Sequence, residues 1–192
     1  ANEEPAIRTQ MRLLNACTGL QRGSILNGSR DLTKKVWGDI NPYVENFDCV
    51  GKTMDDLNEY CTNNEVDILI IDQLDKINVT GKFNATHEKL REVYTQAREL
   101  AKRHNILVIG MSQASAEAQG RSRVTFSTME NSKTGKAAEA DLILGLGKED
   151  EEEDFMDDCI RFVTLSKNKL TGDHKEFEVI LRPTISRFAE RN

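Results

Sequence analysis

Asp72 closes the segment Val66-Asp67-Ile68-Leu69-Ile70-Ile71, whose four unbroken apolar residues include three β-branched side chains. A run of that length and composition reads as a strand buried on both faces, and a carboxylate delivered at its tip is the arrangement that holds the water shell of Mg²⁺ beside a nucleoside triphosphate. The signature is Walker B-like; a buried strand that simply ends at a solvated or helix-capping Asp is the plain alternative for the same residues. A second apolar run, Ile106-Leu107-Val108-Ile109, breaks at Gly110-Met111 into the polar pair Ser112-Gln113. Between the two, Ala85 to Asn105 carries Leu90, Val93, Tyr94, Ala97, Leu100 and Ala101 at three-and-four spacing, which predicts an amphipathic crossover helix. Parallel strands joined in this way end on one side of the sheet, so Asp72, Ser112 and Gln113 are expected on one rim, facing one site.

The remaining chemistry-bearing residues exclude more than they suggest. Cys17, Cys49, Cys61 and Cys159 are far apart with no Cys-x-x-Cys pair, and His87, His104 and His174 lack metal-ligand spacing, which argues against a zinc site and against a disulfide framework. Gly51-Lys52-Thr53 has the ending of a phosphate-cradling loop, but the glycine required five positions earlier is Asn46, and Phe47-Asp48-Cys49-Val50 would set bulk and negative charge against a phosphate. The same residues read more simply as an end of extended chain followed by a helix to about Asn63, with Thr53 as its cap and Asp55 and Asp56 in its first turn.

Other elements fall on either side of this pair of strands. Residues 5 to 18 read as a helix led by Pro5, with Ile7, Met11, Leu13 and Leu14 as its apolar positions. From Gly19 to Asn41 short helical pieces lie between Gly and Ser breakers. Ala114 to Lys136 is a long polar stretch carrying Arg121, Arg123, Lys133 and Lys136, and a loop of that length is either functional or disordered. Asp141 to Leu146 makes a third apolar strand, and Ile160–Leu165, Glu176–Leu181 and Ile185–Phe188 form an antiparallel meander that turns at Thr171-Gly172-Asp173.

The 192 residues are read as a single domain, with an α/β core over 1–147 and an acidic loop plus β-meander over 148–192. The formal net charge of -6 does not exclude a nucleic-acid partner, because the acid is concentrated in the block from Glu149 to Asp154 and the rest is near neutral with local basic clusters. No run approaches the roughly 20 apolar residues of a membrane span, and no charged-then-apolar leader opens the chain, so neither membrane nor secretion is expected.

In this order the pieces resemble the motor domain of hexameric replicative DNA helicases of the DnaB-like kind, phage ring helicases included, over almost the whole chain. Ile68 to Leu74 looks like their Walker B strand, and Val108-Ile109-Gly110-Met111-Ser112-Gln113 is similar to the strand whose glutamine senses the γ-phosphate. Asn131 to Asp141 occupies the place of the family's DNA-contacting loop, Thr164 to Gly172 that of the hairpin reaching the neighbouring subunit's nucleotide, and Asn2-Glu3-Glu4 that of the segment with the catalytic glutamate.

The resemblance implies a RecA-like P-loop NTPase core: a mostly parallel sheet with a C-terminal antiparallel hairpin. It implies ATP or another NTP with Mg²⁺ as cofactors. Asp72 would anchor the metal through water, with Ser112 beside the nucleotide. Glu3 would polarise the attacking water, Gln113 would report the γ-phosphate, and Lys167 and Lys169 would stabilise charge on an adjacent subunit's nucleotide. Single-stranded DNA would be gripped at its phosphates by Arg121, Arg123, Lys133, Gly135 and Lys136. A ring hexamer, a primase or helicase loader as partner, and the cytoplasm of a bacterium or a phage-infected host complete what is implied.

Two departures stand out. The family's P-loop strand and glycine-rich loop belong upstream of Ala1, so the chain reads as a fragment that is inactive alone, with a gap in the sheet between the strand of Ile106 and that of Leu142. The family's arginine finger is matched by Lys169, which lacks the bidentate fork; Arg161 or Arg182 is the alternative helper. A RecA- or KaiC-like recombination or regulatory ATPase, and a DNA- or partner-binding module without nucleotide chemistry, are the rival functions.

Overall fold

Thr53 sets the start of the first well-packed helix. Its hydroxyl accepts from the Asp56 backbone N–H at 3.2 Å while its own N–H donates to the Asp56 carboxylate at 2.7 Å, a reciprocal capping box that satisfies donors a helix start would otherwise leave open. The structure, a computed structural model, describes residues 5–28, 30–129, 133–149 and 159–191. The helices are α1 (Ala6–Thr18), α2 (Arg22–Asn27), α3 (Arg30–Ile40), α4 (Met54–Asn63), α5 (Thr86–His104) and α6 (Lys133–Glu139). The strands are β1 (Ile68–Ile71), β2 (Leu107–Gly110), β3 (Leu142–Gly147), β4 (Ile160–Asn168), β5 (Glu176–Arg182) and β6 (Arg187–Glu190).

The elements expected from periodicity are present, and α5 is the crossover between β1 and β2, which pair in parallel with Ile68 opposite Leu107 and Ile71 opposite Gly110. Asn105 ends α5 in the left-handed conformation that Asn tolerates, with φ at 53°. Strands β3 to β6 form an antiparallel sheet in sequence order. It is tied to α1 by Arg187, whose guanidinium donates to the carbonyls of Ala16 and, at 3.1 Å, Cys17.

The core lies on one face of the parallel pair. Leu57, Cys61, Ile71, Leu74, Ile77, Val93, Ala97 and Leu100 form a buried cluster from α4, β1, the turn after it and α5, and Leu69, Ile106 and Val108 pack against it. The opposite face differs from the expectation of strands buried on both sides. Ile68, Ile70, Leu107 and Ile109, which alternate with the buried set, are 56, 59, 55 and 40 % exposed. The reason is geometric: successive side chains point to opposite faces, and the described helices that pack on these strands cover one of them. The six strands divide into two sheets, and β2 and β3 share no hydrogen-bonded pairing among the described residues. The gap expected between them is where the sheet divides, and β3 is correspondingly an edge strand of an antiparallel sheet rather than part of a parallel one.

Candidate functional site

Gly110 makes the rim possible. A Cβ there would sit 2.6 Å from Leu74 Cδ2, so glycine lets the buried Leu74 of the turn after β1 pack directly against the end of β2. Gln73, with φ at 56°, reverses the chain just past Asp72, and the hydrogen bonds Met111 N–H to Ile71 O and Leu74 N–H to Met111 O, both 2.9 Å, carry the pairing beyond the strands. Asp72 and Ser112 therefore leave neighbouring parallel strands at the same end. Asp72 is half-buried and Gln113 exposed.

Behind this rim lies a polar cluster that the sequence reading did not identify. The Asp75 carboxylate accepts from Tyr94 Oη at 2.8 Å on one oxygen, and from Ser112 Oγ at 2.9 Å and Lys136 Nζ at 2.6 Å on the other. Lys136 also donates to Ser112 Oγ at 3.2 Å and lies 5.6 Å from the Tyr94 ring centroid. Its side chain is 0 % exposed. Burial, with the Asp75 charge beside it, pushes the Tyr94 hydroxyl well above its ordinary value, so it remains a donor to Asp75. Ser112, expected to face a nucleotide, thus has its hydroxyl turned to Asp75.

Lys136, expected in a loop that grips DNA phosphates, is instead buried against Asp75. Residues 133–139 are helical, not loop, and Gly135 is a half-buried residue of that helix. The physical reason is the partner: an ammonium enters the interior only where a carboxylate and further hydrogen bonds replace its water, and Asp75 and Ser112 supply both. The alanine-rich Ala137-Ala138-Glu139-Ala140, a helix-favouring composition, was the available signal for α6. Asp75, a second acid three residues after Asp72, was the signal for the pair. The Lys133 side chain lies outside the described residues, as do Glu3 and residues 150–158 of the acidic block.

Lys167 and Lys169 do lie on one side, as extended spacing predicts, and they meet within this chain. Lys167 Nζ donates to the carbonyl of Ala137 and, at 3.4 Å, to that of Ala138; Lys169 Nζ reaches Ala138 O at 3.4 Å and Asp141 Oδ1 at 3.3 Å. Arg98 of α5 completes the cluster, 3.6 Å from Glu139 and 3.5 Å from Asp141. Partial burial, then the neighbouring Lys169 charge, lowers the Lys167 pKa. Arg161 donates to the carbonyl of Ile160, and Arg182 ends β5.

Arg121 and Arg123 are exposed on an open polar cleft of about 520 Å³ whose lining includes Ser122, Thr125, Ser127 and Glu149. Their segment lies directly on β3, because a Cβ at Gly145 or Gly147 would come within 1.9 Å of the carbonyl oxygens of Val124 and Ser122. Gly51-Lys52-Thr53 forms a tight turn and helix cap, with Lys52 N–H on Cys49 O at 3.1 Å.

Among the described residues no group of three or more His, Cys, Asp or Glu side chains is placed to hold a metal. No helix of the described residues is long and apolar enough to cross a membrane.

No family model matches the sequence, and no curated protein matches it. Solved structures do. The chain superposes over 99 % of its length, with a TM-score of 0.78 and 18 % identity, on a DnaB-like replicative helicase whose structure was solved together with its interactions with primase, and of which it covers 49 %. It superposes over 99 % of its length on a second solved structure, an ATPase domain, with a TM-score of 0.83, 17 % identity and 72 % of that chain covered. The chain spans about half the length of the first of these. The chain shares its fold, a parallel pair and an antiparallel sheet with their helices, with both of these structures.

Proposed function

We propose that this chain is the motor domain of a ring-forming replicative DNA helicase, hydrolysing a nucleoside triphosphate between subunits and moving on single-stranded DNA. The observation that carries the reading is the common rim: Asp72 and Ser112-Gln113 emerge from adjacent parallel strands at their carboxyl ends, where open α/β sheets bind ligands. Asp72 holds the water shell of Mg²⁺, which when bound neutralises charge on the triphosphate. Gln113, exposed beside it, contacts the terminal phosphate, and Glu3 orients water. Lys167 and Lys169 face a neighbouring subunit's nucleotide after leaving the α6 carbonyls. Arg121, Arg123 and Lys133, with the backbone at Gly135, hold DNA phosphates without reading sequence.

Among the described residues, the bare edges of β2 and β3 and the apolar residues exposed on β1, β2 and β3 support a further strand, with a helical layer, supplied from outside residues 1–192. A phosphate-binding loop on that strand is what this chain needs in order to hydrolyse. The same assembly brings subunits into a ring and a primase or loader into contact. A non-catalytic DNA- or partner-binding module is the second reading, favoured by the internal pairing of Lys167 and Lys169.

The test is Mg-ATP hydrolysis by the full-length protein with and without single-stranded DNA. The motor reading expects hydrolysis that DNA stimulates and that Asp72→Ala abolishes; tight DNA binding with no hydrolysis leaves the module. Replacing Arg121 and Arg123 by Ala is expected to flatten the salt dependence of DNA binding by about 0.7 in slope for each lost phosphate contact.

A further inference from the structure

One helix touches both the residues behind the rim and the lysine pair of β4. Through Lys136, α6 reaches Asp75 at 2.6 Å and Ser112 at 3.2 Å; through its last carbonyls and Glu139 it meets Lys167, Lys169 and Arg98. Asp75 lies three residues past Asp72, in the turn after β1, and Ser112 immediately precedes Gln113, in the segment after β2. A single buried cation therefore ties together the two segments that form the rim.

The attachment has little slack. The ammonium meets the carboxylate, the Ser112 hydroxyl and the Tyr94 ring, and its side chain is wholly buried. A lysine in this position cannot follow a moving helix by trading protein partners for water, because the desolvation already incurred is offset only while Asp75 and Ser112 stay in place. The hydroxyl of Ser112 and the Asp75 carboxylate must move with α6, or the contact breaks at considerable cost.

We infer that Lys136 is a positioning residue that locks α6 to the Asp75 turn and to Ser112-Gln113, so that displacement of α6 by a bound polyanion resets the rim. This rests on the proposed function for its use, while the lock itself is a property of the fold. Lys136 then acts without touching nucleic acid.

The experiment compares full-length wild type with Lys136→Met, Asp75→Asn and the double variant. Lys136→Met leaves Asp75 without its cation and is expected to melt much earlier; the double variant, with no charge left at the site, is expected to melt within about 5 °C of wild type. Two readouts are then taken on the double variant. Amide hydrogen exchange over 111–118 and 133–139 is expected to accelerate in both segments together, by about tenfold or more, with α5 unchanged. The ratio of ATP hydrolysis with oligo(dT) to that without is expected to fall by about tenfold, while KM for ATP stays within about threefold.

A merely structural lysine predicts that restored melting restores both. Exchange at wild-type rates in either segment, or an unchanged hydrolysis ratio, would overturn the inference. Wild type that hydrolyses nothing, or is not stimulated by oligo(dT), sinks the motor reading instead, and the exchange result still decides whether Lys136 locks α6.

Discussion

The two attachments of α6 use the same kinds of side chain in opposite environments. Lys136 and Asp75 are 0 and 24 % exposed and share two further hydroxyls; Lys169, which reaches the Ala138 carbonyl at the other end of α6, pairs at 3.3 Å with Asp141 just past the helix, and these two are 41 and 57 % exposed. A buried pair is costly to assemble and more costly to break, whereas an exposed pair exchanges readily with water or with another anion. The difference assigns them different work. The inner attachment holds α6 in place, and the outer one can exchange its partners without unfolding anything.

That contrast can be broken at several points. Lys136→Met alone is expected to cost about 2–3 kcal/mol in denaturant unfolding, since it leaves the partly buried Asp75 carboxylate without its cation; a cost near zero would show that Asp75 is better solvated than its contacts indicate. Ser112→Ala, which removes the hydroxyl that donates to Asp75 and accepts from Lys136, is expected to cost about 1.5–3 kcal/mol. Thr53→Ala, at a helix cap that belongs to neither attachment, should cost about 1 kcal/mol and supplies a scale for an ordinary hydrogen bond. Lys169→Ala is expected to cost less than about 1 kcal/mol, a loss that fades further in high salt; a loss as large as that of Lys136→Met would erase the distinction.

A pH scan adds a separate check on the cap. The Thr53 backbone N–H, then its hydroxyl, hold the Asp56 carboxyl below its ordinary value. A depressed folded-state value means that the contribution is complete above the unfolded-state value, about 4, and is lost as pH falls through the folded one. Melting curves of Asp56→Asn should accordingly show a shallower decline in acid than wild type.

Much of this was legible from side-chain types and spacing. The crossover helix is visible because Leu90, Val93, Tyr94, Ala97 and Leu100 repeat with the helical period, and those five residues are the buried face of α5. The rim followed from two apolar runs joined by a helix, since right-handed parallel crossovers leave the strand ends together. Thr53 read as a cap because Asp56 follows it at the required spacing. The meander followed from alternation and the turn at Gly172, whose φ is 77°.

Other parts were not legible, for reasons that differ by residue. Ile68 and Ile70 could not be told from Leu69 and Ile71 by hydrophobicity, and only what packs on each face separates them. Lys136 looked like any loop lysine, because its partner is 61 positions away in sequence. Lys167 and Lys169 announced a shared anion, but not that the α6 carbonyls and Asp141 would fill that place.

What the chain's own order of residues determined is therefore local and periodic: where helices begin and end, which strands run side by side, and which polar residues sit at their tips. These depend on spacing along the backbone, which the sequence states directly. Tertiary structure decided the pairings of charge, sending Lys136 inward and leaving Arg121 and Arg123 outside, because the energy of an ion depends on its distance from a counter-charge and from water, and neither distance is written along the chain.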